Sequence, residues 1–355
     1  MRYFVGMDDL KFFKDPINFT KQTDKEVLKY AIGANMYMPA TQKNIFTKLI
    51  NNEIHDIGAI TLCMEDAIDE SMVEKAQECT LELLDHLHEM RLQKKDMNLP
   101  LIFIRVRNTK QFETFSKMLT KRHLEELSGF NFPKFNSVNG RQYFTTLKEL
   151  SETHNEILYG MPIIEDENVM FKETRFFELE QIQKVLLDFQ EYVLNIRVGG
   201  TDFSSIYGLR RSVNTTIYDI KVVADCLKDI LNFFLRQNCG YVVSGPVWEY
   251  FSWDKESKEI KGLERELDLD IQNGFMGKTI IHPSQINTVN RKYIIGYNEY
   301  MDAKAIMEAS GGVFKSIGGN RMNEVAPHKN WAKKVLAKAD IFGVFDNSCN
   351  EDMTA

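Results

Sequence analysis

Paired cysteines are missing from this chain. Its 355 residues hold five, Cys63, Cys79, Cys226, Cys239 and Cys349, and no two stand in a C-x-x-C pair, so neither a zinc site nor a disulfide framework is indicated. Reduced thiols in a cytoplasmic protein are the expectation. Long apolar runs are missing too: no stretch approaches the roughly 18 residues of a membrane span. The opening "MRYFVGMDDLKFF" carries acids where a signal peptide needs a basic patch and an apolar core. Positive charge is in short supply, and a formal net charge of -7 argues against a binder of phosphate backbones, whose affinity rests on Lys and Arg. No glycine-rich phosphate loop, internal repeat or low-complexity tract stands out. What remains is small-molecule chemistry, with neither nucleic acid nor membrane as partner.

Hydrophobic residues make up 43% and charged residues 27% of the chain, which fits a globular protein with ample core and no disorder. Short apolar, β-branched runs bounded by polar residues or glycine predict eight strands, at 34–40, 58–66, 99–108, 129–135, 157–166, 192–202, 240–248 and 278–286. Between most of them lie stretches of helical spacing, among them 70–95, 110–128 and 218–238. Alternation of strand and helix implies right-handed βαβ units on a parallel sheet. Eight such units close most economically into a (β/α)8 TIM barrel, with an open doubly wound sheet as the competitor. The barrel is expected over residues 1–295. Residues 296–355 read as a C-terminal helical extension, built from "NEYMDAKAIMEAS", a glycine-bearing turn and "NWAKKVLAKADIFG", with a frayed end at "NSCNEDMTA".

A barrel assembles its active site at the C-terminal ends of its strands, so several strands should each end in a polar or charged group. Here the runs end in Glu65 and Asp66, in Arg105, Arg107 and Asn108, and in Lys134, Glu165, Asp202 and His282. Glu165 and Asp202 read in two ways. Adjacent carboxylates suit Mg²⁺, which takes one or two of them together with waters and substrate oxygens; alternatively they are solvated acids at strand ends. Gly199 and Gly200 favour the first, since glycine at a strand end often marks close approach of a ligand or another backbone. The guanidinium of Arg105 suits a substrate carboxylate. Strand alternation sends Glu65 and Asp66 in opposite directions, one of them towards the barrel mouth, and Asp69 or Ser71 is the better cap for the helix that follows. His282 is expected to be structural, His86 and His88 cannot converge from positions two apart on a helix, and the charge run "GLERELDLD" reads as a solvated helix face.

The ordered series of motifs resembles the citrate lyase beta-subunit and HpcH/HpaI aldolase family over roughly residues 30 to 335. "YMPATQKNIFTKLI" is similar to that family's Y-V-P-G opening, with Ala40 in place of glycine. "TLCMEDAID" is similar to its D-L-E-D-A-V segment, with Cys63 in place of the first acid. "IRVRN" resembles its V-R-x-N strand and "NFPKF" its P-K segment. "PIIEDENVM" resembles its metal strand, "GGTDFSSIYG" the segment of the second metal ligand, and "GFMGKTIIHPSQI" its G-F-x-G-K-x-x-I-H-P-x-Q-I signature.

The resemblance implies a Mg²⁺-dependent carbon–carbon bond lyase on a TIM barrel, in a homo-oligomer of three or six subunits, acting on a small oxo- or hydroxy-acid or its acyl-CoA thioester. It implies Glu165 and Asp202 as metal ligands, and Arg105, Glu65 and Asp66 as catalytic. Glu324 of "NRMNEVAPHK" stands where some relatives supply an acid to a neighbouring subunit's site. Substrate binding falls to Arg105, Pro39, Ala40, Lys134, Gly199, Gly200 and Thr201. Arg210, with Arg211 beside it, adds positive charge suited to a phosphate or a further carboxylate. Two other functions compete: phosphoryl transfer on a barrel of the pyruvate or phosphoenolpyruvate type, and a non-catalytic barrel serving as subunit of a larger assembly.

Overall fold

The computed structural model describes residues 1–346 other than 8, 43, 52, 95, 96 and 238. The frayed end expected at 347–355, with Cys349, lies outside the described residues. Eight parallel strands form one sheet: β1 (Ala34–Pro39), β2 (Ala59–Cys63), β3 (Leu101–Arg105), β4 (Gly129–Phe132), β5 (Tyr159–Ile164), β6 (Ile196–Val198), β7 (Val243–Ser244) and β8 (Lys278–Ile280). Neighbours in the chain are neighbours in the sheet from β1 to β7, and β8 pairs back onto β1. A parallel bridge between Gly245 and Lys278 closes the seam beside β7. The result is a TIM barrel.

Every predicted strand exists, and each ends earlier than the apolar pattern suggests. The run 192–202 is a strand only over Ile196–Val198; Gly199 caps, and Gly200 begins, the helix α2 (Gly200–Ile206), so Asp202 sits in a first helical turn rather than on a strand. The run 58–66 stops at Cys63, which removes the alternation expected to part Glu65 from Asp66. Of the helices, 70–95 becomes a 3-10 turn, N-capped by Asp69, running into α1 (Val73–Gln93), and 218–238 becomes α3 (Lys221–Phe234). The stretch 110–128 is two helices, Thr109–Ser116 and Lys121–Glu126. Thr120 begins the second through a capping box with His123, which ends the continuity that spacing alone implied.

Residues facing away from the barrel axis, such as Met36, Met38, Ile60, Ile102 and Ile104, are buried beneath the helices. Lys278 also faces outward, onto α4 (Lys258–Asn273), where its Nζ donates to Glu266 Oε1 at 2.9 Å and Asp270 Oδ2 at 2.6 Å. Both acids belong to the run "GLERELDLD" and are fully buried. That run is therefore not wholly solvated: positions four apart share a helix face, and a lysine on the barrel wall supplies the charge that lets this face point inward.

Two helices, α5 (Tyr297–Glu308) and α6 (Val325–Phe342), follow the barrel. The glycine-bearing turn between them holds a hairpin, Val313–Lys315 with Met322–Glu324. Their contact is a separate apolar cluster that includes Ala303, Ile306, Ala332 and Val335. A short strand at Phe12–Lys14 pairs antiparallel with Val344–Phe345 and ties the N-terminal segment to the one that follows α6. Among the described residues, no helix is long and apolar enough to cross a membrane.

Candidate active site

Four carboxylates and two cations converge where β2 to β6 end. Arg105, the last residue of β3, is buried, and its Nη2 reaches Glu65 Oε2 at 2.5 Å, Glu165 Oε1 at 3.0 Å and Asp66 Oδ2 at 3.4 Å. Lys134 Nζ lies 2.6 Å from Glu65 Oε1, 3.5 Å from Asp66 Oδ2 and 3.6 Å from Asp202 Oδ1. Glu65 and Asp66, expected to diverge, therefore meet at one guanidinium. Each of the four acids has a cationic neighbour, but the acids outnumber the cations by two, so the cluster carries excess negative charge when all are ionised.

Local backbone features aim these groups. Lys134 adopts φ 45°, a left-handed conformation that costs a residue with a Cβ about 1–2 kcal/mol. In return its N–H donates to Glu165 Oε1 at 2.9 Å while its side chain turns back to Glu65. Gly199 explains itself by the same contact from another side: a Cβ there would lie 2.1 Å from Glu165 Oε2 and 2.5 Å from Glu165 Cβ. Glycine is needed because Glu165 fills the space, which gives the close approach read from the sequence a definite neighbour. Asp202, half-buried, stands in the first turn of α2, where the helix dipole favours a negative charge.

The electrostatics follow from burial. Glu165, 5% exposed, is pushed up to about 8 by burial; Arg105 opposes the rise and the charge of Asp202 adds to it. Burial also raises Glu65, helped by Asp66 and against Arg105 and Lys134. Asp66 goes the other way: burial is outweighed by its hydrogen bond with Glu65 and by Arg105 and Lys134, which hold it below the usual carboxylate range. A proton entering this pair settles on Glu65. Lys134 is held well above the usual lysine range, its burial overcome by Glu65, Glu165 and Asp202.

Among the described residues, no three His, Cys, Asp or Glu side chains are arranged to enclose an ion. Mg²⁺ does not ask for such a cage, since one or two carboxylates with substrate oxygens suffice. The residues present fit it in chemistry and charge: Glu165 and Asp202 repel one another at the end of a cluster with excess negative charge.

Other residues singled out in the sequence take no part in these ion pairs. Pro39 ends β1, and Ala40 is buried with its N–H donating to Cys63 O at 3.0 Å. Thr201 is exposed beside Asp202. Arg210 is 84% exposed at its side chain, its Nε 3.8 Å from Glu249. Arg211 is buried and donates to Glu266 Oε1 at 2.9 Å and Oε2 at 2.6 Å, so the further carboxylate it serves is internal. Glu324 caps α6 at the end of the hairpin, and among the described residues no ion pair joins it to the cluster. His282 accepts from Ser284 N and stacks on Phe251, a structural setting.

Sequence reasoning passed over the polar residues that line the barrel below the cluster. Asn131 Nδ2 donates to Tyr37 Oη at 2.6 Å and to Thr61 Oγ1 at 3.1 Å, and Thr61 Oγ1 donates to Asn35 Oδ1 at 3.0 Å. Arg197 Nη2 donates to Thr279 Oγ1 at 2.5 Å. A signal was present: Asn35 and Tyr37, and again Asn195 and Arg197, stand two apart inside apolar strands, which puts each pair on one face.

A family model described as the C–C bond lyase of the TIM-barrel fold matches residues 26–344. No curated protein matches the chain. Among solved structures, CitE from Mycobacterium tuberculosis in complex with magnesium, acetoacetate and coenzyme A is similar at 17% identity and TM-score 0.55, over 88% of this chain and 99% of that one. A citrate lyase from Burkholderia xenovorans aligns at 14% identity and TM-score 0.65, over 87% and 91%. A Haloferax volcanii malate synthase, determined with glyoxylate, aligns at 12% identity and TM-score 0.54, over 72% of each chain. At such identities the likeness to these structures is one of fold.

Proposed function

The chain belongs to the C–C bond lyases of the TIM-barrel fold, and from that premise we propose that it breaks or forms a carbon–carbon bond beside the carbonyl of a small oxo- or hydroxy-acid, or of its acyl-CoA thioester, with Mg²⁺ held by Glu165 and Asp202. The observation that carries this reading is the convergence of those two acids with Arg105, Lys134, Glu65 and Asp66 at the C-terminal end of the barrel. That the CitE and malate synthase structures were determined with magnesium and acetoacetate or with glyoxylate supports the substrate class.

When bound, Mg²⁺ supplies Lewis acidity at the substrate's carboxylate and carbonyl oxygens. Arg105 keeps its charge at any working pH and has an Nε without a hydrogen-bond partner, a donor available to charge that develops on the substrate. Lys134 holds Glu65 in place and stays cationic. Glu65 takes up or gives back the proton, because its carboxyl is the more easily protonated of the adjacent pair. The low position of Asp66 keeps a negative charge next to it, which favours that protonated form.

The test is a panel of oxo-acids and acyl thioesters scored for Mg²⁺-dependent release of a keto-acid. Turnover should fall by on the order of 100-fold or more in Glu165→Gln and in Asp202→Asn, as expected when a charge-stabilising group is removed from a site. Full Mg²⁺-dependent turnover in both variants would sink the ligand assignment. Absence of any metal-dependent binding of oxo-acids by the wild type would favour a non-catalytic barrel.

A further inference from the structure

TIM barrels usually fill their interior with branched apolar side chains; this one places a fully buried arginine there. Arg197, on β6, is 1% exposed. Its Nη2 donates to Thr279 and its guanidinium lies 5.7 Å from the ring centre of Tyr37. The groups that act on it most strongly are Tyr37, Tyr293 and Arg105, none of them a carboxylate. Nε and Nη1 are buried without a hydrogen-bond partner. A buried charge with no counter-ion is strongly disfavoured, so a fold that keeps one is built to receive something.

The neighbouring orphans indicate what that is. Besides the two nitrogens of Arg197, the buried polar atoms without partners around the barrel axis are Arg105 Nε, Asn35 Nδ2, Asn195 Nδ2 and Asn131 Oδ1. Five of the six are donors. Water satisfies donors and acceptors alike, whereas an excess of donors around a positive charge suits an oxyanion. The inward-facing Tyr37 and Thr279 are only half-buried, while their outward-facing neighbours Met36, Met38, Lys278 and Ile280 are buried, so the inner wall is the more accessible one at these positions. Tyr37 feels the charges of Arg197, Arg105 and Glu165 together, so Arg197 lies near the acid cluster.

We propose that Arg197, with the Thr279 hydroxyl, receives a second carboxylate of the substrate inside the barrel, and that the substrate is a compact dianion rather than a monocarboxylate. This rests on the oxo-acid reading above for its first carboxylate. It adds a specificity-determining residue and narrows the substrate to short dicarboxylates.

Calorimetric titration with pyruvate, malonate and succinate, each with Mg²⁺ and with chelator, tests it. The wild type should bind one of the dianions at least about tenfold more tightly than pyruvate, as the loss or gain of a charged hydrogen bond implies. Arg197→Met should abolish that preference, leave pyruvate binding within about twofold, and not lower the melting temperature of the free protein. A purely structural arginine would do the reverse. Should Arg197→Met fail to fold, Arg197→Gln decides, since it keeps hydrogen-bonding groups without charge: a surviving dianion preference overturns the inference and its loss supports it. Equal affinities for dianion and pyruvate in the wild type overturn it too. If binding stays Mg²⁺-dependent and is lost in Asp202→Asn, the lyase reading stands regardless of Arg197. Dianion binding that needs Arg197 but no Mg²⁺ keeps this inference and overturns the metal assignment; no binding of any of the three acids overturns both.

Discussion

At the scale of single residues, the site turns on Glu165 and the glycine that makes room for it. Its carboxyl is raised to about 8 in the folded protein, against 4.5 ordinarily. Between those values the folded state holds a proton that the unfolded chain has released, so stability must decline as pH rises through that window. The contribution is complete below pH 4.5 and gone above about 8. Denaturant unfolding of the wild type and Glu165→Gln at pH 5, 7 and 9 should therefore show the variant gaining on the wild type as pH rises; parallel curves would contradict the burial of an acid there. Mg²⁺ favours the ionised carboxyl, so its binding should release a proton near pH 7, seen as a buffer-dependent heat. Gly199→Ala tests the same contact sterically. With its Cβ 2.1 Å from Glu165 Oε2, the variant should lose about 1–3 kcal/mol of stability and most Mg²⁺ affinity, measured by melting and by metal titration.

At the scale of elements, β8 and α4 are joined by charge. Lys278 touches Glu266 and Asp270, Arg211 shares Glu266, and Tyr218 Oη donates to Asp270 Oδ1 at 2.7 Å. Removing Lys278 leaves Glu266 to Arg211 but leaves buried Asp270 with the Tyr218 hydroxyl in place of a cation, which outweighs any gain from an apolar replacement. Lys278→Met should cost about 3–5 kcal/mol, read by chemical denaturation. Ser257→Ala, at the start of the same helix, should cost only about 1 kcal/mol, because the Ser257 hydroxyl supplies a single cap bond to Ile260 N. Comparable losses from the two changes would mean that the ionic contacts do not hold the helix to the barrel.

At the scale of the whole molecule, the N-terminal segment and α6 pack together against the barrel. Tyr3 is fully buried, donates to Ala31 O at 2.8 Å and stacks on Phe342 of α6, with ring centres 4.6 Å apart. Phe342 and Ile341 belong to the barrel's own core, although the rest of α6 packs mainly on α5. Barrel and C-terminal helices are thus expected to unfold together. Far-UV circular dichroism and the fluorescence of Trp331 in a variant lacking Trp248 and Trp253 should give one midpoint; two would mean that the region after residue 295 is an independent unit. Tyr3→Ala should lower that common midpoint, with a loss of about 3–5 kcal/mol in unfolding free energy for removal of a buried aromatic.

The sequence by itself determined the repeating strand–helix order, and with it the barrel, because burial on both faces of a parallel strand writes a continuous apolar run that local reading detects. It also placed Glu65, Asp66, Arg105, Lys134, Glu165 and Asp202 at one end, since in a parallel barrel all C-terminal strand ends lie on the same rim. Where each run stops was less legible: Cys63 and Val198 end their strands through pairing that the partner strand sets. Only the tertiary structure decided that Glu65 and Asp66 share Arg105, that Glu266 and Asp270 turn inward, and that Arg197 forms no ion pair among the described residues. Each is a matter of which distant residue supplies the opposite charge, and a side chain's charge is visible along the chain whereas its partner across the fold is not.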